Sequence, residues 1–91
     1  MELEDLGTAE RTTLKTIVGK ELKYSLMKSY KRIGGRYSYS VTLEETSCGQ
    51  RSFIFASDVS RIRKRAYEIF RLISEGSVTA CTFFEVLEDL L

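Results

Sequence analysis

The sequence predicts a single α+β domain: an antiparallel β-meander of three to four strands followed by two α-helices packed on one face. Residues 11–56 form short runs in which apolar and polar side chains alternate, and turn residues separate these runs. Residues 57–76 carry apolar side chains at steps of three and four, as an amphipathic helix does, and residues 82–91 show a second helical pattern. Helices that follow a run of strands and cover one face of the sheet give the α+β layout.

The length of 91 residues suits one domain whose core folds without a metal or a disulfide. The 14 Lys and Arg residues nearly balance the 13 Asp and Glu residues, but the charges are unevenly distributed. Residues 1–10 hold acidic side chains and no basic one, so they are predicted to form a flexible acidic arm. The single domain is predicted to span residues 11–91.

Turn residues divide the first half of the chain into predicted strands at 11–18, 21–32, 36–45 and 51–56. A helix stays open as the alternative for 11–18, because Leu14 and Lys15 favour helix. The predicted connections are a Gly19-Lys20 turn, a Gly34-Gly35 turn and a hairpin loop over residues 46–50. Connections this short make neighbouring strands antiparallel.

Two of these strands carry irregular patterns. The alternation falters near Met27-Lys28, which predicts a β-bulge there. The strand at 51–56 is apolar on both faces, with Phe53 and Phe55 on one side and Ile54 on the other. Such a strand is either central and covered on both faces or part of an interface, and Ile54 is predicted to lie off the main core face.

The predicted long helix begins at Ser57 or Asp58, whose side chain accepts a hydrogen bond from a free backbone N–H group. It ends at Gly76, which is expected to adopt a left-handed conformation. The second helix begins at Thr82, where Thr82 and Glu85 fit a capping box. Cys81 precedes this box at a position that packs against the first turn of the helix, which predicts a structural role for the thiol.

The carboxy-terminal half resembles a family of small bacterial proteins of unknown function, found mostly in Gram-positive anaerobes. The resemblance rests on Ser57-Asp58, on the Gly76-Ser77-Val78-Thr79 run and on the final Glu85–Leu91 segment, Glu-Val-Leu-Glu-Asp-Leu-Leu. It covers residues 20–91 and implies a bacterial protein with a strand-rich first half. The chain departs from the family pattern at Ala80, where proline is expected, and at Thr82 or its neighbour, where histidine is expected. The family implies no activity.

No pattern of residues indicates catalysis, and we expect a protein that is not an enzyme and needs no cofactor or metal. The chain has no histidine, which removes the commonest general base and metal ligand and leaves Cys48 without a histidine partner. The carboxylate pairs Glu44-Glu45 and Glu88-Asp89 are sequence neighbours whose side chains diverge. No targeting or membrane-spanning segment is evident, so a cytoplasmic protein with reduced thiols is predicted.

The favoured function is a non-catalytic interaction module that forms a homodimer or binds another protein. This hypothesis is based on apolar side chains that lie off the predicted core faces, where two helices do not easily cover them. The candidate interface residues are Met27, Ile54 and Phe84. Clustered apolar groups at a surface mark interfaces, and identical chains usually pair with two-fold symmetry.

The alternative function is binding of single-stranded RNA or DNA, through basic side chains on a hairpin and at the start of the long helix. The candidate residues are Lys28, Lys31, Arg32, Arg36, Arg61, Arg63, Lys64 and Arg65. Basic side chains supply affinity for phosphates, and neighbouring tyrosines stack on unpaired bases. Positive charge at the start of a helix opposes the helix dipole, so an anionic group is expected nearby. That group is a ligand, the acidic arm or the Glu88-Asp89 pair.

Overall fold

The structure, a computed structural model, describes residues 8–31 and 36–91, with side chains described for residues 8–29 and 37–91. Its elements are β1 (Thr8–Ile17), β2 (Lys20–Lys31), β3 (Arg36–Ser47), β4 (Gln50–Ser60), α1 (Arg63–Glu75) and α2 (Phe83–Leu90). The four strands form one sheet in the order β1-β2-β3-β4, and all neighbours are antiparallel. The predicted α+β meander followed by two helices is confirmed.

The first strand differs from its prediction at both ends. β1 is a strand rather than the alternative helix, and it includes Thr8–Glu10, which had been assigned to the acidic arm. Residues 1–7 and the predicted Gly34-Gly35 turn lie outside the described residues. The turn after β1 consists of Val18 and Gly19, one residue earlier than predicted. The bulge predicted near Met27-Lys28 lies on the opposite strand, where the register shifts between Ala9 and Arg11.

The β3–β4 hairpin is tighter than the predicted loop over residues 46–50. Ser47 pairs with Gln50, so the turn contains only Cys48 and Gly49. Both have positive φ, 51° and 78°, which is the signature of a type I′ turn. The right-handed twist of the two strands favours this turn type, and the strands therefore continue to the turn.

Cys48 is the strained position of this turn, because a side chain other than Asn or Asp is disfavoured in the left-handed region. We expect Cys48→Asn to raise the free energy of unfolding by about 0.5–1 kcal/mol. Urea denaturation measures the change. Cys81→Asn is the control, since it also removes an exposed thiol but at a position without positive φ. Equal effects of the two substitutions would contradict this explanation.

The start of α1 was predicted too early. β4 continues to Ser60, so Ser57 and Asp58 belong to the strand and do not cap the helix. Val41 pairs with Ala56 and Tyr39 with Ser60, which leaves three residues of β4 opposite one residue of β3. Asp58 has φ 54° within this bulge, a conformation that aspartate tolerates better than most residues. Beyond the bulge, the strand continues along the core, where the side chain of Val59 is buried.

The other predicted helix caps are also wrong. α1 has Ile62 at its N-cap without a side-chain cap, and the Ser60 hydroxyl accepts a hydrogen bond from the Ile62 N–H group at 3.0 Å. Gly76 is right-handed, and the left-handed residue is Ser77, with φ 52°. Thr82 occupies the N-cap of α2 but makes no capping hydrogen bond.

The α1 carboxy terminus is still capped, because the Val78 N–H donates to the Ile73 carbonyl oxygen and the Ser77 N–H to the Ser74 carbonyl oxygen, as in a Schellman motif with Ser77 in the left-handed position. The two helix starts lack a side-chain cap.

The core lies between the sheet and the two helices. Its most buried large side chains come from β2, β3 and both helices: Leu22, Tyr24, Leu26, Val41, Leu43, Ile69, Ile73 and Phe83. The β3–β4 register places Ala56 opposite Val41 and Ile54 opposite Leu43, so Ile54 faces the core. The prediction that Ile54 lies off the core face is wrong. Phe53 and Phe55 occupy the opposite face of the sheet.

Polar side chains of the sheet hold the connector between α1 and α2. The Tyr24 hydroxyl donates to the Val78 carbonyl oxygen at 2.6 Å, and a Glu45 carboxylate oxygen accepts from the Ala80 N–H group at 3.0 Å. Lys15 Nζ donates to the Ser77 hydroxyl oxygen at 3.3 Å, and also to the carbonyl oxygen of Glu75, the last residue of α1, at 3.1 Å. Burial, and secondly the charge of Glu45, raises the pKa of Tyr24 to about 12. The connector is thereby fixed to the sheet at three points.

Candidate interaction surface

Both helices pack on the same face of the sheet, and no element of the described chain covers the other face. We call this second surface the open face. Strand alternation and register arrange its side chains in rows across the four strands. The first row is Thr12, Ser25, Thr42 and Phe55; the second is Leu14, Lys23, Glu44 and Phe53; the third is Thr16, Glu21, Thr46 and Arg51.

Small hydroxyl side chains form the floor of the open face. Ser25, Ser38, Ser40 and Thr42 are at most 7% exposed, although no helix covers them. The Thr12 and Ser25 hydroxyl oxygens lie 3.4 Å apart, so neighbouring strands share hydrogen bonds on this floor. Because these side chains are short, another flat protein surface can approach the backbone of the sheet closely here.

The second row combines exposed apolar ends with a charged centre. Leu14 is 73% exposed and Phe53 is 56% exposed, at the two edges of the sheet. Glu44 lies 3.2 Å from Arg51 Nε, whereas Lys23 forms no ion pair with any residue in 8–31 or 36–91. Two shallow grooves, of about 350 and 300 Å³, flank this row and share Lys23 and Glu44 as lining residues.

The three candidate interface residues do not share one surface. Met27 lies half-buried on the open face, at the rim of the smaller groove. Ile54 packs against the core, and Phe84 lies 56% exposed on α2, with its ring edge-on to Phe83 at 5.5 Å. Sequence reasoning missed Leu14 and Phe53. The signal for Phe53 was the strand at residues 51–56, which is apolar on both faces. Because β4 is an edge strand and not a central strand covered on both faces, the second apolar face is exposed.

Two of the candidate basic residues converge on one carboxylate of β1. Glu10 lies 3.9 Å from Lys28 Nζ and accepts a hydrogen bond from Arg63 Nε at 3.0 Å. Lys28 Nζ also stands 4.1 Å from the centre of the Tyr37 ring. This cluster joins β1, β2 and the first turn of α1, and its cations already have an anionic partner.

The remaining basic candidates are dispersed. Arg65 binds the Glu68 carboxylate at 3.0 Å and donates to the Leu90 carbonyl oxygen at the end of α2. Arg61 and Lys64 are exposed and form no ion pair within the described residues. Lys31 and Arg36 are paired in the backbone register at the ends of β2 and β3, and Arg32 lies outside the described residues.

The structure thus provides hydrogen-bond acceptors for the basic start of α1. They are Glu10, which belongs to the predicted acidic arm, and the carbonyl end of α2. Within the described chain, neither Glu88 nor Asp89 forms an ion pair with this segment. The positive charge of Arg63 and Arg65, which opposes the dipole of α1, is therefore compensated by acceptors within the protein.

No family model, curated protein or solved structure matches this chain. The resemblance to a bacterial family stays a prediction, and function has to be argued from the surface itself. Neither helix is long and apolar enough to cross a membrane, as judged over the described residues. In the same part of the chain, no three acidic or cysteine side chains are grouped to hold a metal ion.

Proposed function

We propose that this chain is a non-catalytic interaction module that forms a homodimer through the open face of its sheet. One observation carries the proposal: no element among residues 8–31 and 36–91 covers this face of the sheet, and Leu14 and Phe53 are exposed on it. Antiparallel sheets tolerate one solvated face when that face is polar. This face instead carries large apolar side chains at its edges and nearly buried small residues at its centre.

The size of the open face suits a specific dimer. The strands contain 10 to 12 residues each. Four strands about 4.8 Å apart, with ten residues at about 3.3 Å each, give a face of roughly 600 Å² in projection. The accessible area of a corrugated face exceeds its projection, and a standard interface buries about 800 Å² on each partner. A second copy therefore has enough surface to bind.

The charge pattern favours a protein partner over a nucleic acid. The charged side chains of the three rows are Glu21, Lys23, Glu44 and Arg51, two of each sign. A polyanion is bound by an excess of positive charge, which these rows lack. Arg63 and Arg65 have acceptors within the protein. We further place the protein in the cytoplasm, where the exposed thiols of Cys48 and Cys81 stay reduced.

Sedimentation equilibrium of two matched variants tests the proposal. Phe53 and Phe84 are equally exposed, at 56%, but Phe53 lies on the open face and Phe84 on α2. The wild-type chain is expected to dimerise at micromolar concentration. Phe53→Ser is expected to weaken the dimer at least tenfold, because loss of a buried aromatic side chain costs more than about 1.4 kcal/mol. Phe84→Ser is expected to dimerise as the wild type does.

Two outcomes would overturn the proposal. A wild-type chain that stays monomeric at several hundred micromolar would remove self-association. A dimer that Phe84→Ser weakens and Phe53→Ser leaves intact would move the interface from the open face to α2. Circular dichroism of each variant at the same concentrations establishes that it is folded.

A further inference from the structure

We infer that two copies pack open face to open face around a two-fold axis parallel to the strands, so that Lys23 of each copy faces Glu44 of the other. This inference rests on the proposed function and specifies its geometry. Two sheets that pack face to face keep their strands within about 30° of each other. A two-fold axis that runs along the strands, between the two sheets, produces such an alignment.

The register of the sheet determines which side chains meet. Rotation about this axis reverses the strand order, so β2 lies over β3 of the second copy and β1 lies over β4. Each row then faces its own reversed copy. In the second row, Lys23 meets Glu44 and Leu14 meets Phe53. Every contact occurs twice because the interface is isologous.

Lys23, which has no ion-pair partner among the described residues, supports this arrangement. Lys23 stands beside Glu44 on the neighbouring strand, yet within the described chain only Arg51 makes an ion pair with that carboxylate. The second copy brings another Glu44 over Lys23 and thereby supplies an acceptor. In the third row, Arg51 of the second copy lies over Thr16, next to Glu21. No like charges face each other in these rows.

The other two-fold axis that keeps the strands aligned runs across them, and it cannot pair Lys23 with Glu44 in any register, because each strand then faces its own copy. It places β2 over β2 and β3 over β3. Centred on the second row, it puts Lys23 against Lys23 and Glu44 against Glu44, and like charges at an interface are strongly unfavourable. Centred on the first row, it sets Lys23 over Met27, which buries the Lys23 charge without an acidic partner. Centred between the second and third rows, it sets Lys23 over Glu21 but leaves Glu44 over Thr46.

The floor of the first row permits the close approach that this packing needs. Ser25 of one copy lies over Thr42 of the other, and both side chains are small. Packed sheets lie about 10 Å apart with side chains of both faces interdigitating between them, so small side chains in the first row leave room for the long Lys23 and Glu44 side chains of the adjacent row. The longer apolar side chains lie at the edges instead, where Leu14 and Phe53 close the two sides of the interface.

Charge reversal in separate chains tests the geometry. Lys23→Glu and Glu44→Lys are each expected to raise the dimer dissociation constant at least tenfold, because each creates two like-charge contacts per dimer. An equimolar mixture of the two variants is expected to form a heterodimer within about threefold of the wild-type affinity, because both contacts regain opposite charges. Fluorescence anisotropy with one labelled variant measures the mixed species.

The outcomes separate this inference from the proposed function. Single variants that dimerise as the wild type does, or a mixture that stays monomeric, would overturn the strand-parallel axis. If Phe53→Ser still abolished the wild-type dimer, the open face would remain the interface in another orientation. A monomeric wild-type chain would overturn both. The doubly exchanged chain, Lys23→Glu with Glu44→Lys, is expected to dimerise as the wild type does and controls for folding.

Discussion

Replacement of Phe83 by alanine is expected to lower the free energy of unfolding by about 3–5 kcal/mol. Phe83 is fully buried and is the first residue of α2. That helix has only eight residues and no side-chain cap, so its own helical propensity contributes little. The phenyl ring therefore anchors α2 to the sheet and to α1, and its removal leaves a cavity between them.

Urea denaturation followed by circular dichroism measures this effect. A domain of this size has a total stability of about 5–15 kcal/mol, so the Phe83→Ala variant is expected to be partly unfolded at 37 °C. Phe84→Ala is the matched control. It removes the same side chain one position later, where more than half of it is exposed, and is expected to cost about 1 kcal/mol or less. Similar losses in the two variants would contradict the assigned core.

Tyr24→Phe is expected to cost about 1–2 kcal/mol at neutral pH, because it leaves the buried Val78 carbonyl oxygen without its 2.6 Å hydrogen bond. The ring of Tyr24 is fully buried, and phenylalanine keeps its packing. Tyr67→Phe, which removes a hydroxyl from the exposed side of α1, is the control and is expected to change stability by less than about 0.5 kcal/mol.

The buried Tyr24 hydroxyl is also expected to make the free energy of unfolding depend on pH in the alkaline range. The pKa of Tyr24 is about 12 in the folded protein against 10.0 for the ordinary phenol, so between these values the folded state binds more protons. Its contribution to stability is complete below pH 10 and falls by up to about 1.4 kcal/mol per pH unit above it. The difference between wild type and Tyr24→Phe should therefore shrink from pH 10 to pH 12. A constant difference would contradict the buried phenol.

Local patterns in the sequence were sufficient for the fold class and for most of β2 and β3. In these strands, Leu22, Tyr24, Val41 and Leu43 alternate with polar residues, so each strand has one possible core face. The period of the helical segments likewise identified Ile69 and Ile73 as core. These elements were predictable because the spacing of apolar residues within each segment is enough to identify its buried side.

The parts that failed depend on long-range geometry. Phe53 and Ile54 are both apolar, so only the pairing with β3, fixed by the Cys48-Gly49 turn, decides which one faces the helices. The end of β4 depends on a bulge at Asp58, and the acceptor of Arg63 is Glu10, 53 residues earlier in the chain. The open face could not be located for the same reason, since it is defined by where the helices pack.

An isotope-filtered NOE experiment on a mixture of labelled and unlabelled chains tests the central claim most directly. Leu14 and Phe53 lie on opposite edge strands, about 14 Å apart within one chain, so magnetisation transfer between them requires a second copy. The proposed dimer predicts intermolecular NOEs between the Leu14 methyl groups and the Phe53 ring. Intermolecular NOEs confined to α1 and α2, or none at concentrations where the chain is dimeric, would contradict it.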